Sequence, residues 1–158
     1  MQHITHRQTL RERLQAHHLK ATHQRIVVYE ALVDLHGKHP TAEEVYQLLK
    51  PANPSVSLGT VYKTLDTFAE AGLVHKVLSE EGGKRFDANA RAHSHIYCSN
   101  TREIIDFEDE ELDVLLQEFL RKRNLHNFEI KGFSVQLTGN KVEPEKQISI
   151  TRVPKIDL

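Results

Sequence analysis

The sequence predicts an α+β protein in two parts: a winged helix-turn-helix over residues 1–87, then a small α/β part over 93–158, with 88–92 as linker. Three observations predict it. Four helical patterns follow one another and end in an alternating, hairpin-like stretch over 73–87. The third helix opens on a capping box, Thr41-Ala42-Glu43-Glu44, with Thr as N-cap and Glu three residues on. Beyond 92 the pattern returns to strands, with a helix between them.

The elements follow in order. Residues 5–17 read as a polar, basic helix. Thr22 is a plausible N-cap for a second helix with Ile26, Tyr29 and Val33 on one face. His36 to Pro40 is a break. The third helix places Ala42, Val45, Tyr46 and Leu49 on one stripe, and Pro51 and Pro54 end it. Ser57 caps a fourth helix over 58–71, where Leu58, Val61, Leu65 and Phe68 share a face, and Gly72 sits at its C′ position. Strands over 73–78 and 84–87 flank the turn Glu80-Glu81-Gly82-Gly83. Further strands are predicted at 95–99 and 103–107, a helix at 110–123 with Leu112, Leu115, Leu116, Phe119 and Leu120 on one face, a strand at 129–138, and a weaker one near 147–152.

The bulk composition narrows the function. The chain has 158 residues, 39% hydrophobic and 27% charged, an ordinary soluble balance. It shows no bilayer-length apolar run and no secretory h-region. A single cysteine permits no intrachain disulfide and suits a reducing cytoplasm. The net charge of −1 argues against a generally basic nucleic-acid binder. Locally the balance differs, because residues 1–29 hold Arg7, Arg11, Arg13, Lys20 and Arg25 against Glu12 alone. Such a patch serves DNA binding if the fold aims it.

The fourth helix would be the DNA reader, its outward face carrying Thr60, Tyr62, Lys63, Thr64 and Thr67. Hydroxyls and ammonium groups reach phosphates and base edges, and Tyr62 can pack on thymine methyls. Lys20 and Arg25 are placed to add backbone or minor-groove contacts. The bland alternative is a solvated helix face.

Histidine is the unusual residue, with 11 copies. His93 and His95 stand two apart, so on a strand both point to one face. With His39, Asp87 and Asp106 they make three imidazoles and two carboxylates, a set suited to Fe(II), Mn(II), Zn(II) or Co(II) rather than Cu(I). All five fall where the two parts meet. Against this, a His-x-His pair can be incidental, Asp106 can belong to the acidic run that opens a helix, and His39 can be a solvated loop residue. Cys98 reads as a small buried apolar residue, with a reactive thiol as the alternative.

Several segments together resemble the ferric uptake regulator superfamily, metal-dependent repressors with a winged-helix domain and a dimerisation domain. They are Leu19 to Arg25 (LKATHQR), His39 to Glu44 (HPTAEE), Val56 to Tyr62 (VSLGTVY), Ala71 to Val74 (AGLV), Arg85 to Asp87 (RFD), His93 to Cys98 (HSHIYC) and Ile105 to Phe107 (IDF). The resemblance covers roughly residues 14–138. It implies a cytoplasmic homodimer that binds a palindromic double-stranded operator when metallated, and no enzyme. It implies one regulatory divalent ion per subunit, Fe(II) or Mn(II) first and Zn(II) as the alternative, at His39, Asp87, His93, His95 and Asp106. Its DNA-contacting positions map onto Lys20, Ser57, Thr60, Tyr62 and Lys63.

Asp rather than Glu at 87 and 106 resembles the peroxide-sensing branch. There, Fe(II) reacts with hydrogen peroxide, oxygen is added to a ligating histidine matching His39 or His93, the metal is lost and the dimer leaves DNA. The alternative is an iron or zinc uptake regulator responding to occupancy alone. Two departures stand out. Thr101 replaces the second cysteine of the first CxxC pair and 139–158 holds no cysteine, so no four-cysteine structural zinc is expected. Ala92 and Ser94 replace ligands of a further site in many iron sensors, so that site is expected to be lost. Two readings from other classes remain: a hydrolytic metal site, which leaves the helix-turn-helix unexplained, and a DNA-binding module with no sensor.

Overall fold

The structure, a computed structural model, describes residues 2–79 and 83–151. Its order is α1 (Gln2–Ala16), α2 (His23–Asp34), α3 (Ala42–Leu49), α4 (Leu58–Glu70), β1 (His75–Leu78), β2 (Lys84–Asp87), β3 (Ser94–Cys98), β4 (Ile104–Phe107), α5 (Glu110–Arg121) and β5 (Gln136–Gly139). The class is α+β, as expected. An N-terminal winged helix-turn-helix precedes a small α/β half built on a three-stranded sheet.

Local chemistry sets the helix starts. The Thr22 hydroxyl accepts from Arg25 N, and that of Ser57 from Thr60 N. At α3 both halves of the capping box close: Glu44 N donates to Thr41 Oγ1 at 3.2 Å, and Thr41 N donates to Glu44 Oε2 at 2.8 Å. Gly72, at φ 72°, ends α4 in the left-handed region that glycine adopts without a Cβ penalty. The core of this half is continuous, from Leu10 and Leu14 of α1 through Val28, Leu32, Val45, Val61, Leu65 and Phe68 to Phe86 of β2. Asp66 of α4 ties the wing down through Lys76 Nζ at 2.8 Å and Lys84 Nζ at 3.8 Å.

The β1–β2 hairpin closes through Ser79 N to Gly83 O; the rest of the expected turn, residues 80–82, lies outside the described residues. The second sheet has order β4-β3-β5, with β3–β4 antiparallel and β3–β5 parallel. Its core among the described residues is small: Val77 of the wing, Tyr97 and Ile104. Cys98 is free and buried there, as expected of a small apolar residue.

Several expectations need correction. The first helix starts at Gln2 rather than residue 5, and the first wing strand at His75 rather than 73. The strand expected at 129–138 is confined to Gln136–Gly139, and residues 147–151 of the weak strand at 147–152 form none. Apolar residues do alternate there, but a strand needs an edge to pair with. β5 takes the free edge of β3, and β4 holds the other.

Candidate metal centre and nucleic-acid interface

Each of the five predicted ligands is delivered by a different local device. His39 ends the loop before α3, with φ +48°. Asp87 closes β2, opposite His75 of β1. His93 immediately precedes β3, and His95 lies on it. Strand alternation puts both on one face. Asp106 of β4 is the cross-strand partner of His95, the closest lateral relationship a sheet offers. The N-terminal half thus supplies two groups and the C-terminal half three.

The structure brings all five together, with one donor atom from each within 4.8 Å of every other. His39 Nε2 lies 2.8 Å from Asp106 Oδ1 and 3.4 Å from Asp87 Oδ2. His93 Nε2 is 2.8 Å from Asp87 Oδ2 and 3.0 Å from Asp106 Oδ1, and His95 Nε2 is 3.6 Å from both carboxylates. Ligands about 2.1 Å from a shared ion stand about 3 Å apart when adjacent and about 4.2 Å apart when opposite. The spacings of 2.8–3.6 Å between imidazole and carboxylate atoms lie close to the adjacent-ligand value.

Burial sharpens the fit. His39 and Asp87 are each 2% exposed, and His93 and His95 each 9%. His39 Nε2, Asp87 Oδ2 and His95 Nε2 are buried yet make no hydrogen bond among the described residues, as donors aimed at a common cation would. Unpaired buried polar atoms are costly. The donors are also well supported. Asn89 N donates to Asp87 Oδ1 at 2.8 Å. His93 Nδ1 lies 2.7 Å from Arg91 O, so it carries the proton and leaves Nε2 free to ligate.

Electrostatics agrees with the geometry. Burial works against the Asp87 charge, but His39, His95 and the Asn89 amide outweigh it and hold the carboxyl far below the usual carboxylate range. Burial likewise opposes charge on His39 and His93. The carboxylates beside both, and the Arg91 carbonyl beside His93, outweigh it, so both imidazoles sit above their ordinary value. Three imidazoles and two carboxylates suit a borderline divalent ion. A cavity of about 600 Å³ between the wing and the C-terminal half reaches this cluster, with His75, Val77, His93, His95 and Phe133 in its wall.

The expected DNA-contacting residues gather at a second place. Lys20, Arg25, Thr60 and Lys63 line one groove of about 450 Å³ between the start of α2 and α4. Arg25 Nη1 donates to Lys20 O at 3.1 Å, which ties one arm of the guanidinium to the backbone before α2. Ser57 stands apart as the α4 cap, its hydroxyl 2.9 Å from that of Thr60. Tyr62 is half-buried, and its hydroxyl donates to Glu43 of α3. Thr64, expected on the outward face, does line this groove but is buried within it, because position 64 is three residues after Val61 and four before Phe68, toward the core side of the helix. Sequence reasoning missed Thr22 and Gln24 in this groove, and it missed Glu43 and Arg85, whose signals lay inside the HPTAEE and RFD segments.

A winged helix-turn-helix joined through a His/Asp cluster to a small sheet is the architecture of a transcription regulator with an N-terminal DNA-binding and a C-terminal dimerisation domain. The chain belongs to the Ferric uptake regulator family, whose family model matches residues 16–138. It is 36% identical over 121 residues to the peroxide-responsive repressor PerR of Staphylococcus epidermidis, covering 77% of this chain and 78% of that one. It is 36% identical over 95 residues to PerR of Staphylococcus aureus, where the match spans 60% of this chain and 64% of the relative, just under two thirds. Its fold is similar to the manganese-bound ferric uptake regulator of Pseudomonas aeruginosa (TM-score 0.71, 34% identity, 82% of this chain and 96% of that one). It is also similar to the peroxide stress regulator of Campylobacter jejuni (TM-score 0.64, 29% identity, 86% and 96%).

Proposed function

We propose that this chain is a metal-dependent, peroxide-responsive repressor that acts in the cytoplasm and binds a palindromic operator as a homodimer. The observation that carries this reading is the convergence of His39, Asp87, His93, His95 and Asp106 on one buried point between two halves. One divalent ion there would draw ligands from both halves and fix their relative orientation, which makes occupancy a conformational switch. Residues 1–87 then serve as the DNA-binding unit, 88–92 as the hinge and 93–158 as the dimerising unit.

The residues divide the work. Lys20, Arg25 and Lys63 meet phosphates, while Thr60 and Tyr62 face base edges and Ser57 fixes the start of the reading helix. The apolar face of α5, with Val114, Leu115 and Phe119 more than half exposed, suits a second copy of the same chain. Aspartate at 87 and 106, and relatives named as peroxide-responsive repressors, favour peroxide over plain occupancy sensing. Bound Fe(II) would supply the reactivity toward hydrogen peroxide, and the nearby imidazoles of His39 and His93 would be the oxidisable groups. A second reading, an iron or zinc uptake regulator that responds only to occupancy, is favoured by the likeness to the manganese-bound Pseudomonas protein.

Peptide mass spectrometry separates the two. Protein loaded with Fe(II) under anaerobic conditions and given substoichiometric peroxide should gain one oxygen on the peptide holding His39 or His93, and a Mn(II)-loaded control should gain none. No added oxygen, with metal still bound, would leave the occupancy reading.

A further inference from the structure

His39 stands in an unusual backbone state. Its φ of +48° lies in the left-handed region, which costs a non-glycine residue roughly 1–2 kcal/mol. The next residue is Pro40, whose ring disfavours the right-handed helical region for the residue before it, so the relaxed choice for His39 is extended backbone. Something must hold it in the left-handed state, which brings its imidazole into the cluster.

The holding groups come from β2. The Arg85 guanidinium donates through Nη1 to His39 O at 3.1 Å, and Phe86 N donates to Pro40 O at 2.9 Å. The next residue on the strand, Asp87, belongs to the cluster itself. Three consecutive residues of β2 therefore grip one ligand's carbonyl, grip the following carbonyl, and supply a carboxylate. Arg85 also stands 3.7 Å from Glu44 Oε2, the carboxylate that closes the capping box of α3. The same guanidinium thus joins the loop carrying His39 to the first turn of the helix-turn-helix.

We propose that Arg85 is a positioning residue of the metal centre. It keeps His39 in the left-handed conformation that ligation requires and anchors that loop to the start of α3, without touching the ion. The inference rests on the metal reading above. Groups that orient a ligand from behind typically govern metal affinity by about 10–100-fold when removed. Nη1 alone meets both the His39 carbonyl and Glu44, so lysine, a compact ammonium on a flexible stem, can replace the hydrogen bond in part but holds it less rigidly.

The test is Mn(II) titration followed by electron paramagnetic resonance on the full chain. It compares the original protein with Arg85→Gln, Arg85→Lys, His39→Ala, Arg85→Gln/His39→Ala and His93→Ala. Circular dichroism of the metal-free proteins reports the fold. Arg85→Gln should weaken Mn(II) binding about tenfold or more, and Arg85→Lys should fall between it and the original protein. The decisive arm is the double variant: with the His39 imidazole gone there is nothing left to position, so Arg85→Gln should cost no further affinity. Unchanged affinity in Arg85→Gln, or an equal loss with and without His39, overturns the proposal. His93→Ala keeps the two failures apart. If it also binds Mn(II) normally, the metal assignment itself fails; if it loses the metal while Arg85→Gln does not, only the positioning role fails.

Discussion

The two halves of the molecule bury their apolar residues very differently. The N-terminal half packs α1 to α4 and β2 around a continuous core in which Val28, Leu32, Val45, Val61, Leu65 and Phe68 are completely covered. The C-terminal half covers Tyr97 and Ile104, but α5 has no buried residue and leaves Leu115 62% and Phe119 51% exposed. Both halves carry amphipathic helices. The difference is that the first half finds its partners within the chain, whereas the second leaves an apolar helix face uncovered, the face the proposed homodimer would cover. Reading DNA calls for a rigid body, and assembling a two-fold dimer calls for an unfilled face.

Three substitutions would break this comparison, beginning with the largest effect. Phe68→Ala removes a fully covered ring from the first core and should destabilise that half by about 3–5 kcal/mol, read as a lower denaturant midpoint that does not depend on protein concentration. Phe119→Ser should leave the same midpoint nearly unchanged for the N-terminal half, yet weaken self-association by an order of magnitude or more if the ring anchors the interface. Sedimentation at graded concentrations would show it, and a chain that stays equally associated would contradict the reading of α5. Thr41→Ala removes one arm of the capping box and should cost about 1 kcal/mol, visible in a thermal melt.

The same contrast explains what the sequence made legible. In the first half, local rules and tertiary packing agree: Thr22, Thr41 and Ser57 cap the helices they were expected to cap, and the Val61, Leu65, Phe68 stripe is the buried one. In the second half, sequence alternation over 129–138 met a sheet whose available edge takes only Gln136–Gly139. A strand is defined by its neighbour, and propensity alone does not supply one. The His/Asp residues that converge were visible because imidazole and carboxylate are chemically distinctive. Arg85 and Glu43 were not, because an arginine on a wing strand and a glutamate in a first helical turn are ordinary until their partners are known. Thr64 is an intermediate case: it lines the groove between α2 and α4, but its angular position beside Val61 and Phe68 leaves it buried there.

The site also has a pH signature with a definite sign. His39 and His93 are held above the ordinary imidazole value of about 6.5, so in the metal-free protein an incoming ion must displace protons. Metal affinity should therefore rise with pH, by up to about two decades per unit while both imidazoles are protonated, and level off once their raised values are passed. Calorimetry in buffers of different ionisation enthalpy would count the protons released. In the metal-free protein the same ion pairs favour folding most between about pH 4 and 6.5. The histidine contribution is lost as pH rises through their raised values. The Asp87 contribution is lost as pH falls through its depressed one.

At the DNA surface the expected effect is smaller but specific. Lys63→Ala should weaken operator and non-operator DNA alike and reduce the salt dependence by about one counterion. A loss confined to the operator would instead make Lys63 a base reader.

The most direct measurement is fluorescence anisotropy of a labelled operator, first selected from random DNA by the Mn(II)-loaded protein, with and without Mn(II), for the original protein and His93→Ala. The original protein should bind far more tightly with Mn(II), and His93→Ala should bind equally weakly in both conditions while keeping its metal-free circular dichroism. Equal, tight binding by both proteins whether or not Mn(II) is present would contradict the assignment of the cluster as the switch.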